Sequence, residues 1–571
     1  MRSLPTVRPA AVADRLAPWA WSAALVAVII GPMAGRGWVL TLDWVVGPRS
    51  AFWPQVLDRG ALPAGPLFFA GAALLHLVAG AAVGWAVPAT ALLVAGRSAW
   101  HCGATTTWGR AAATTVAVWN PFVQERLYAG QPAMLAGYAA TLGMAAALAH
   151  RDPAGAAPQP AGAAPQPAGA APQWRAFGKA GLWWAAGAAC SVQFAVLGAI
   201  VLVAVAPPAG ARARRAVAGH VALATAIAAT VTAGWLLAAG GEPPASGGSE
   251  AAVAFATRPD PRWGLLGGTL LQRGFWRVSP GAPGVVPHWW VDIAALAVLA
   301  LAVAGGVVRW RRHRAAAVRL LVALGAAWVL SWGPLGPLGA GYRWAVATVP
   351  GGGAFREAGK FLAIVAALTS VLVGPAVDRL RATVPAGLRG SRGAAGAGGL
   401  HRVTGVAAAG AAVAAGLAAV LLPVGAAPGL AWGVGGRLAA VRYPAAWHDA
   451  DRVIATARPG SVLVLPGSGY TDPGFTGGRV VANPATAFFG PAVRPGTDPD
   501  VPGVAPPAAV AGIDDALASP DPRRGLTDLG VDWVLELDAD RTGARSGLIG
   551  SAPGATPPIV VRDAVVLWPL N

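Results

Sequence analysis

Cysteine and lysine are nearly missing from this chain. Its 571 residues hold two cysteines, Cys102 and Cys190, and two lysines, Lys179 and Lys360. The cysteines stand far apart, near or within apolar runs, and form no metal-ligand spacing, so neither a disulfide framework nor a zinc site organises the fold. Charge is scarce as well: 12% of residues are charged against 55% hydrophobic. The short signatures of soluble enzymes are absent: no phosphate-binding P-loop, no GxSxG elbow, no HExxH. The GVGG at 433–436 has no strand leading into it and the wrong spacing for a dinucleotide fingerprint. No metal and no cofactor is implied, and any site belongs where apolar segments meet polar ones.

What is present is apolar length. Several runs reach about 18 residues or more, enough to cross a bilayer core. The chain therefore reads as an α-helical polytopic membrane protein with about 9 to 12 transmembrane helices, some broken or re-entrant. The net charge of +18, from 43 basic and 25 acidic residues, lies mostly in short loops between these runs. No basic face or motif points to nucleic acid. The arginines set topology instead: the segments assigned to the inside carry about twice the basic residues of those outside. Arg2, Arg8 and Arg15 precede the first apolar run, which reads as an uncleaved first helix rather than a signal peptide. The expectation is a multi-pass cell-membrane protein with residues 1–16 cytoplasmic and the loop 36–66 outside.

Residues 17–424 form the membrane domain in this reading. Trp119-Asn120-Pro121-Phe122 interrupts one helix, because a proline disfavours helical backbone in the residue before it. PAGAAPQ repeats within 152–174, and such a tract cannot bury a core, so it reads as a disordered cytoplasmic linker. Residues 182–206 read as two half-helices broken near Ser191-Val192-Gln193. From 425 the pattern changes to helices alternating with short buried strands, notably 461–466, 531–537 and the two pieces around Arg562-Asp563. That predicts a small extracytoplasmic α/β domain over 425–571.

Asp43 is the first carboxylate after the opening helix, in a tract of aromatics, proline and glycine; Asp58 is the other acid of that loop. With WNPFVQERLYAGQPAMLAGYA (119–139), FREAGKFLAIVAAL (355–368), Tyr443-Pro444…Trp447, VLVLPGSGY (462–470) and VVANPATAFF (480–489), the chain resembles actinobacterial polytopic proteins of the GT-C glycosyltransferase type, including arabinofuranosyltransferase-like members. The resemblance implies transfer of a sugar from a polyprenyl-phosphate donor to a cell-envelope glycan on the outer face. It also implies that Asp43 acts as base or orients the acceptor hydroxyl. A glycosyl phosphate leaves as an anion, so cations must meet the phosphate while a carboxylate meets the acceptor. Arg356 and Lys360, four apart and expected on one face of a helix start, are the candidates, with Arg343 and Arg126 as further ones. Many such enzymes carry paired acids in the first loop, where this chain has a lone Asp43 between Leu42 and Trp44.

Plainer readings stand beside these. Asp43 is also a candidate loop or helix-end cap, and Arg356 and Lys360 interfacial anchors. Glu125-Arg126 and Glu357 are candidate internal salt bridges, and Asn120 a simple helix break. Trp44, Trp53, Trp263, Trp276, Trp289 and Trp290 fit an interfacial belt as well as sugar-stacking platforms. The alternative to an enzyme is a non-catalytic scaffold or a lipid-linked-substrate transporter of the cell envelope.

Overall fold

The computed structural model describes residues 9–50, 66–149, 171–205, 248–277, 288–349, 352–383, 400–456, 461–465, 469–489, 493–494, 512–537, 557–562 and 565–570, with 219, 222 and 226 besides. Trp53, Asp58 and most of the PAGAAPQ repeat lie outside these residues.

Five helices among the described residues are long and apolar enough to cross a membrane: Arg15–Ala34, Leu67–Trp100, Pro132–Ala149, Trp289–Arg312 and Ala358–Ala382. A sixth span is reached if Ala412–Ala426 and Pro428–Gly435, bent by 71°, are counted together. The nine to twelve expected include shorter and broken pieces and segments outside the described residues. The apolar helix Arg314–Leu330 has 17 residues. The run at 182–206 breaks at Ser191 and Val192 into Ala171–Cys190 and Gln193–Val205. The run at 217–239 lies almost wholly outside the described residues.

The span Ala358–Ala382 is 89% buried within the molecule, against 28% for Leu67–Trp100, so the first is the central helix and the second faces outward. The central helix packs on Thr107–Val118 and Trp289–Arg312. Alanine and glycine let these backbones approach closely, as helices in lipid require. One end of the packing is pinned by Asp378, whose carboxylate accepts from the backbone N–H and hydroxyl of both Thr105 and Thr106 at 2.6–3.1 Å. Thr106 in turn caps Thr107–Val118 by accepting from the Gly109 N–H.

The C-terminal part is built on a five-stranded sheet. Its strands are β1 (Val462–Leu465), β4 (Val493–Arg494), β5 (Trp533–Glu536), β6 (Val560–Arg562) and β7 (Val565–Pro569), in the order β4–β1–β5–β7–β6. β1 runs parallel to both neighbours, while β7 is antiparallel to β5 and β6. A continuous apolar strand such as VLVL suits the centre of a sheet covered on both faces, and all four of its residues are buried. One face packs on Trp447 and Phe488, the other on Ile513, Leu517 and Leu526. A separate two-stranded ribbon, β2 (Tyr470–Thr471) with β3 (Val481–Ala482), projects from this part.

The loop after the first helix is stitched to that ribbon and sheet. Trp38 pairs with Val441, the Ala482 N–H donates to the Leu42 carbonyl at 2.9 Å, and the Arg49 N–H donates to the Ala487 carbonyl at 2.9 Å. Leu40 is buried in the same apolar cluster as Val462 and Phe488. Residues 38–49 thus belong structurally to the C-terminal part as much as to the helix they follow.

Candidate functional site

The segment NPFVQERLYAGQP builds the floor of the site, and each of its punctuating residues has a local cause. Asn120 accepts the Val123 N–H at 2.9 Å and donates to the Val116 and Ala117 carbonyls at 2.8 and 3.1 Å. It ends one helix and caps the next, Pro121–Ala129, with proline at the first helical position. Its side chain is spent on backbone groups. Gly130 then closes that helix with φ 73, and the chain turns to Gln131 and Pro132.

This turn touches the loop of Asp43. The Asp43 N–H donates to the Ala129 carbonyl at 2.8 Å. A Cβ on Gly130 would lie 1.9 Å from Thr41 Oγ1 and 2.7 Å from the Trp44 nitrogen. Gly130→Ala therefore meets both a left-handed backbone cost of about 1–2 kcal/mol and an overpacking cost of about 1–3 kcal/mol. A fall in thermal midpoint of the purified protein, larger than for Ala substitution at the open Gly71, is the expected result.

Asp43 is half-buried and held at both oxygens. The Tyr470 hydroxyl donates to Oδ1 at 2.8 Å and Gln131 Nε2 donates to Oδ2 at 3.1 Å. Behind Gln131 lies a buried charge network. Arg126 Nη1 donates to Gln131 Oε1 at 2.7 Å and also to Glu357 Oε1. Arg126 Nη2 lies 3.8 Å from Glu125 Oε2, and the guanidinium sits over the Phe122 and Phe275 rings at 5.4 and 5.7 Å. Glu125 Oε1 accepts the backbone N–H groups of Gly274 and Phe275 at 2.9 and 3.2 Å. Lys360 Nζ lies 3.9 Å from Glu357 Oε2 and 3.4 Å from the Ala354 carbonyl.

The electrostatics follow from this burial. Burial lifts the Asp43 carboxyl above its ordinary value, with a further push from Glu357, although the Gln131 and Tyr470 hydrogen bonds and the Lys360 charge oppose it. Burial likewise pushes Glu125 up to about 7, against the Arg126 charge and the two backbone donors. Burial alone would raise Glu357, but Arg126 and Lys360 outweigh it and hold that carboxyl low. The half-exposed residues are Asp43, Gln131 and Tyr470, whereas Glu125, Arg126, Glu357 and Lys360 are buried. The network therefore reaches the surface at Asp43.

Tyr470→Phe tests this coupling. The phenol's hydrogen bond lowers the Asp43 pKa, so its loss raises that pKa further. An activity that needs ionised Asp43 would then lose its acid limb at higher pH than in the wild type. The limb's position in a pH–rate profile is the measurement, and an unmoved limb would show that Tyr470 does not act on Asp43.

The remaining candidates fall at different distances from this network. Glu125, Arg126 and Lys360 are inside it. Arg356 and Lys360 do not share a helical face as the sequence suggests. Glycines and an alanine on either side split the segment into two short 3-10 turns, Gly352–Phe355 and Ala358–Phe361, ahead of the helix from Leu362. Arg356 falls between the turns and stacks over the Phe255 ring at 4.7 Å. Arg343 donates to the Pro334 carbonyl at 3.3 Å, and Asn120 serves as the cap described above. Gln131 and Tyr470, which hold Asp43 directly, are not among the sequence-derived site residues. Gln131 had a signal, as a lone amide in a Gly-Gln-Pro turn, whereas Tyr470 reaches Asp43 across 427 positions of sequence. Among the described residues no group of three His, Cys, Asp or Glu side chains gathers around a metal position.

No protein-family model and no curated protein sequence matches the chain. Among solved structures it is similar to the archaeal oligosaccharyltransferase AglB from Archaeoglobus fulgidus, determined with an inhibitory peptide and a dolichol-phosphate. Identity there is 11%, over 94% of this chain and 67% of that one, with a TM-score of 0.38. The apo crystal structure of the Archaeoglobus fulgidus oligosaccharyltransferase gives 13% identity, the same coverage and a TM-score of 0.37. A superposition this loose assigns neither a function nor a residue.

Proposed function

We propose that the chain is an integral-membrane glycosyltransferase that moves a sugar from a polyprenyl-phosphate donor to a cell-envelope glycan at the outer face of the membrane. The observation that carries this reading is Asp43, a half-exposed carboxylate oriented at both oxygens and backed by a buried network containing Lys360. In the reaction the acceptor hydroxyl oxygen bonds to the anomeric carbon as the bond from that carbon to the phosphate oxygen breaks. Asp43 takes the hydroxyl proton, and the polyprenyl phosphate departs as an anion. Lys360 supports this role because its three donors meet, among the described residues, one long hydrogen bond and one distant ion pair. Its ammonium has capacity left for a phosphate oxygen, and Arg356 is the second cation on the same segment. The ribbon that carries Tyr470 contacts Asp43 through the phenol hydroxyl.

One observation favours a second reading, a scaffold or lipid-linked-substrate transporter without turnover. Both Asp43 oxygens are already satisfied by protein donors, as those of a purely structural link would be. Purified protein, a polyprenyl-phosphate sugar and a glycan acceptor decide between the two. Transfer that depends on Asp43 supports the enzyme as proposed; no transfer by the wild type above a protein-free control favours the scaffold or transporter, and transfer unchanged in Asp43→Asn removes Asp43 from the chemistry.

A further inference from the structure

A second buried charge cluster stands apart from Asp43, and no step of the proposed chemistry uses it. Asp292 lies in the first turn of the apolar span Trp289–Arg312 and is buried. Its Oδ1 accepts from Arg273 Nη1 at 2.7 Å, and its Oδ2 accepts from Arg262 Nη1. Arg273 Nη1 also reaches Asp260 Oδ2 at 3.2 Å. Asp260 uses its other oxygen to accept the Arg262 and Trp263 N–H groups at 2.8 and 3.0 Å. A carboxylate in an apolar span costs free energy unless paired, and buried pairs of this kind add little net stability. What they fix is geometry.

The fixed element is the backbone on either side of Arg273. Gln272 takes φ 61, unusual for a residue with a side chain, and Gly274 takes φ 153. A Cβ on Gly274 would sit 2.4 Å from Thr257 Cγ2, so a glycine is required there by space and by conformation. Such backbone persists where its surroundings over-determine it. Its outcome is that the Gly274 and Phe275 N–H groups both point at Glu125 Oε1. From Glu125 the contacts continue through Arg126 and Gln131 to Asp43.

We propose that the Asp292–Arg273–Asp260 cluster is a positioning clamp for the candidate site. It seats the 272–275 backbone on Glu125 and so fixes the Arg126–Gln131 arm that orients Asp43. Arg273 and Asp292 touch neither substrate nor Asp43; they act through Glu125. The catalytic consequence rests on the glycosyl-transfer reading, whereas the clamp itself does not. The groups facing Asp43 are Gln131 from the turn, Tyr470 from the ribbon, and Glu357 with Lys360 from the central segment. None of them is altered by the variants below.

The test uses the full chain in lipid nanodiscs, with Arg273→Lys and Arg273→Gln. Two readouts are taken. The first is the titration midpoint of the Asp43 carboxyl band in pH-difference infrared spectra, assigned by its loss in Asp43→Asn. The second is kcat and KM for sugar transfer against pH. The expected result is a midpoint displaced by about half a pH unit or more, with kcat reduced on the order of tenfold and KM within about twofold. Lysine should do less harm than glutamine, since it keeps the charge. A folded Arg273→Gln with unchanged midpoint and unchanged kcat overturns the clamp; so does a loss carried wholly by KM, which would mean direct substrate contact. If neither Arg273 variant folds, Asp260→Asn loosens one anchor of Arg273, and an unmoved midpoint there overturns the clamp equally. If wild-type protein transfers no sugar while the midpoint still shifts, the clamp stands and the glycosyl-transfer reading fails.

Discussion

Asp43→Asn is expected to lower kcat for sugar transfer by about 10²–10⁴-fold, the range that a positioned general base contributes, while leaving the protein folded. Asparagine keeps the shape of the side chain. Its amide oxygen can accept from Gln131 Nε2, whose own Oε1 is committed to Arg126 at 2.7 Å and so resists a flip. The introduced amide nitrogen then faces the Tyr470 hydroxyl, which can accept as readily as it donates. A single hydrogen bond changes direction and no buried charge is orphaned, because Asp43 is half-exposed. The variant should therefore elute and melt close to wild type. The wild-type pH profile carries a matching signature. Burial raises the Asp43 pKa, so activity should fall with acid at a pH above that of an ordinary carboxylate, and Asp43→Asn should remove that limb. Near-normal transfer by a well-folded Asp43→Asn would leave Asp43 as the link between loop and ribbon only.

Much of the fold is legible in the sequence, because it follows from local rules. The strand at VLVL, the two strand pieces Val560–Arg562 and Val565–Pro569 and the break at Asn120-Pro121 each rest on residues adjacent in the chain. The site is legible in its parts and not in its assembly. Asp43 stands out as an acid after an apolar helix, and Glu125-Arg126 as charges in an apolar tract. That Arg126 pairs with Glu357 while Gln131 bridges both to Asp43 depends on packing between elements more than 200 positions apart. Periodicity misleads at FREAGK, where i and i+4 share a face in a helix but glycines give two separate turns instead. Tyr470 carries no local mark of its partner, because its ribbon meets a loop 427 positions away in sequence. The number of spans is hard to read for a related reason: apolar length alone does not distinguish one long helix from two half-helices broken at Ser191.

Arg126→Leu is the substitution expected to damage the fold most. Arg126 is fully buried, donates from Nη1 to both Gln131 and Glu357, and sits 3.8 Å from Glu125. Leucine fills similar space between Phe122 and Phe275 but leaves Glu357 with Lys360, at 3.9 Å, as its remaining cation. Removing one partner of a buried ion pair costs about 3–5 kcal/mol, because the other charge is left uncompensated. Arg126→Lys should fall between, since the ammonium keeps the charge but not the guanidinium plane over the Phe122 and Phe275 rings or its approach to Glu125. Two further measurements separate charge from packing. First, adding Glu357→Gln to Arg126→Leu should recover part of the loss, whereas a purely steric defect would not be relieved. Second, the stability gap should narrow as pH falls. In the wild type Arg126 holds the Glu357 carboxyl low, so its ionised form contributes stability that is lost only as pH drops through that depressed value. In Arg126→Leu the pull is gone, the Glu357 pKa rises, and protonation relieves the buried charge at milder acidity. Denaturation midpoints collected from neutral pH downward should therefore converge; curves that stay parallel would mean that Arg126 acts through its volume rather than its charge.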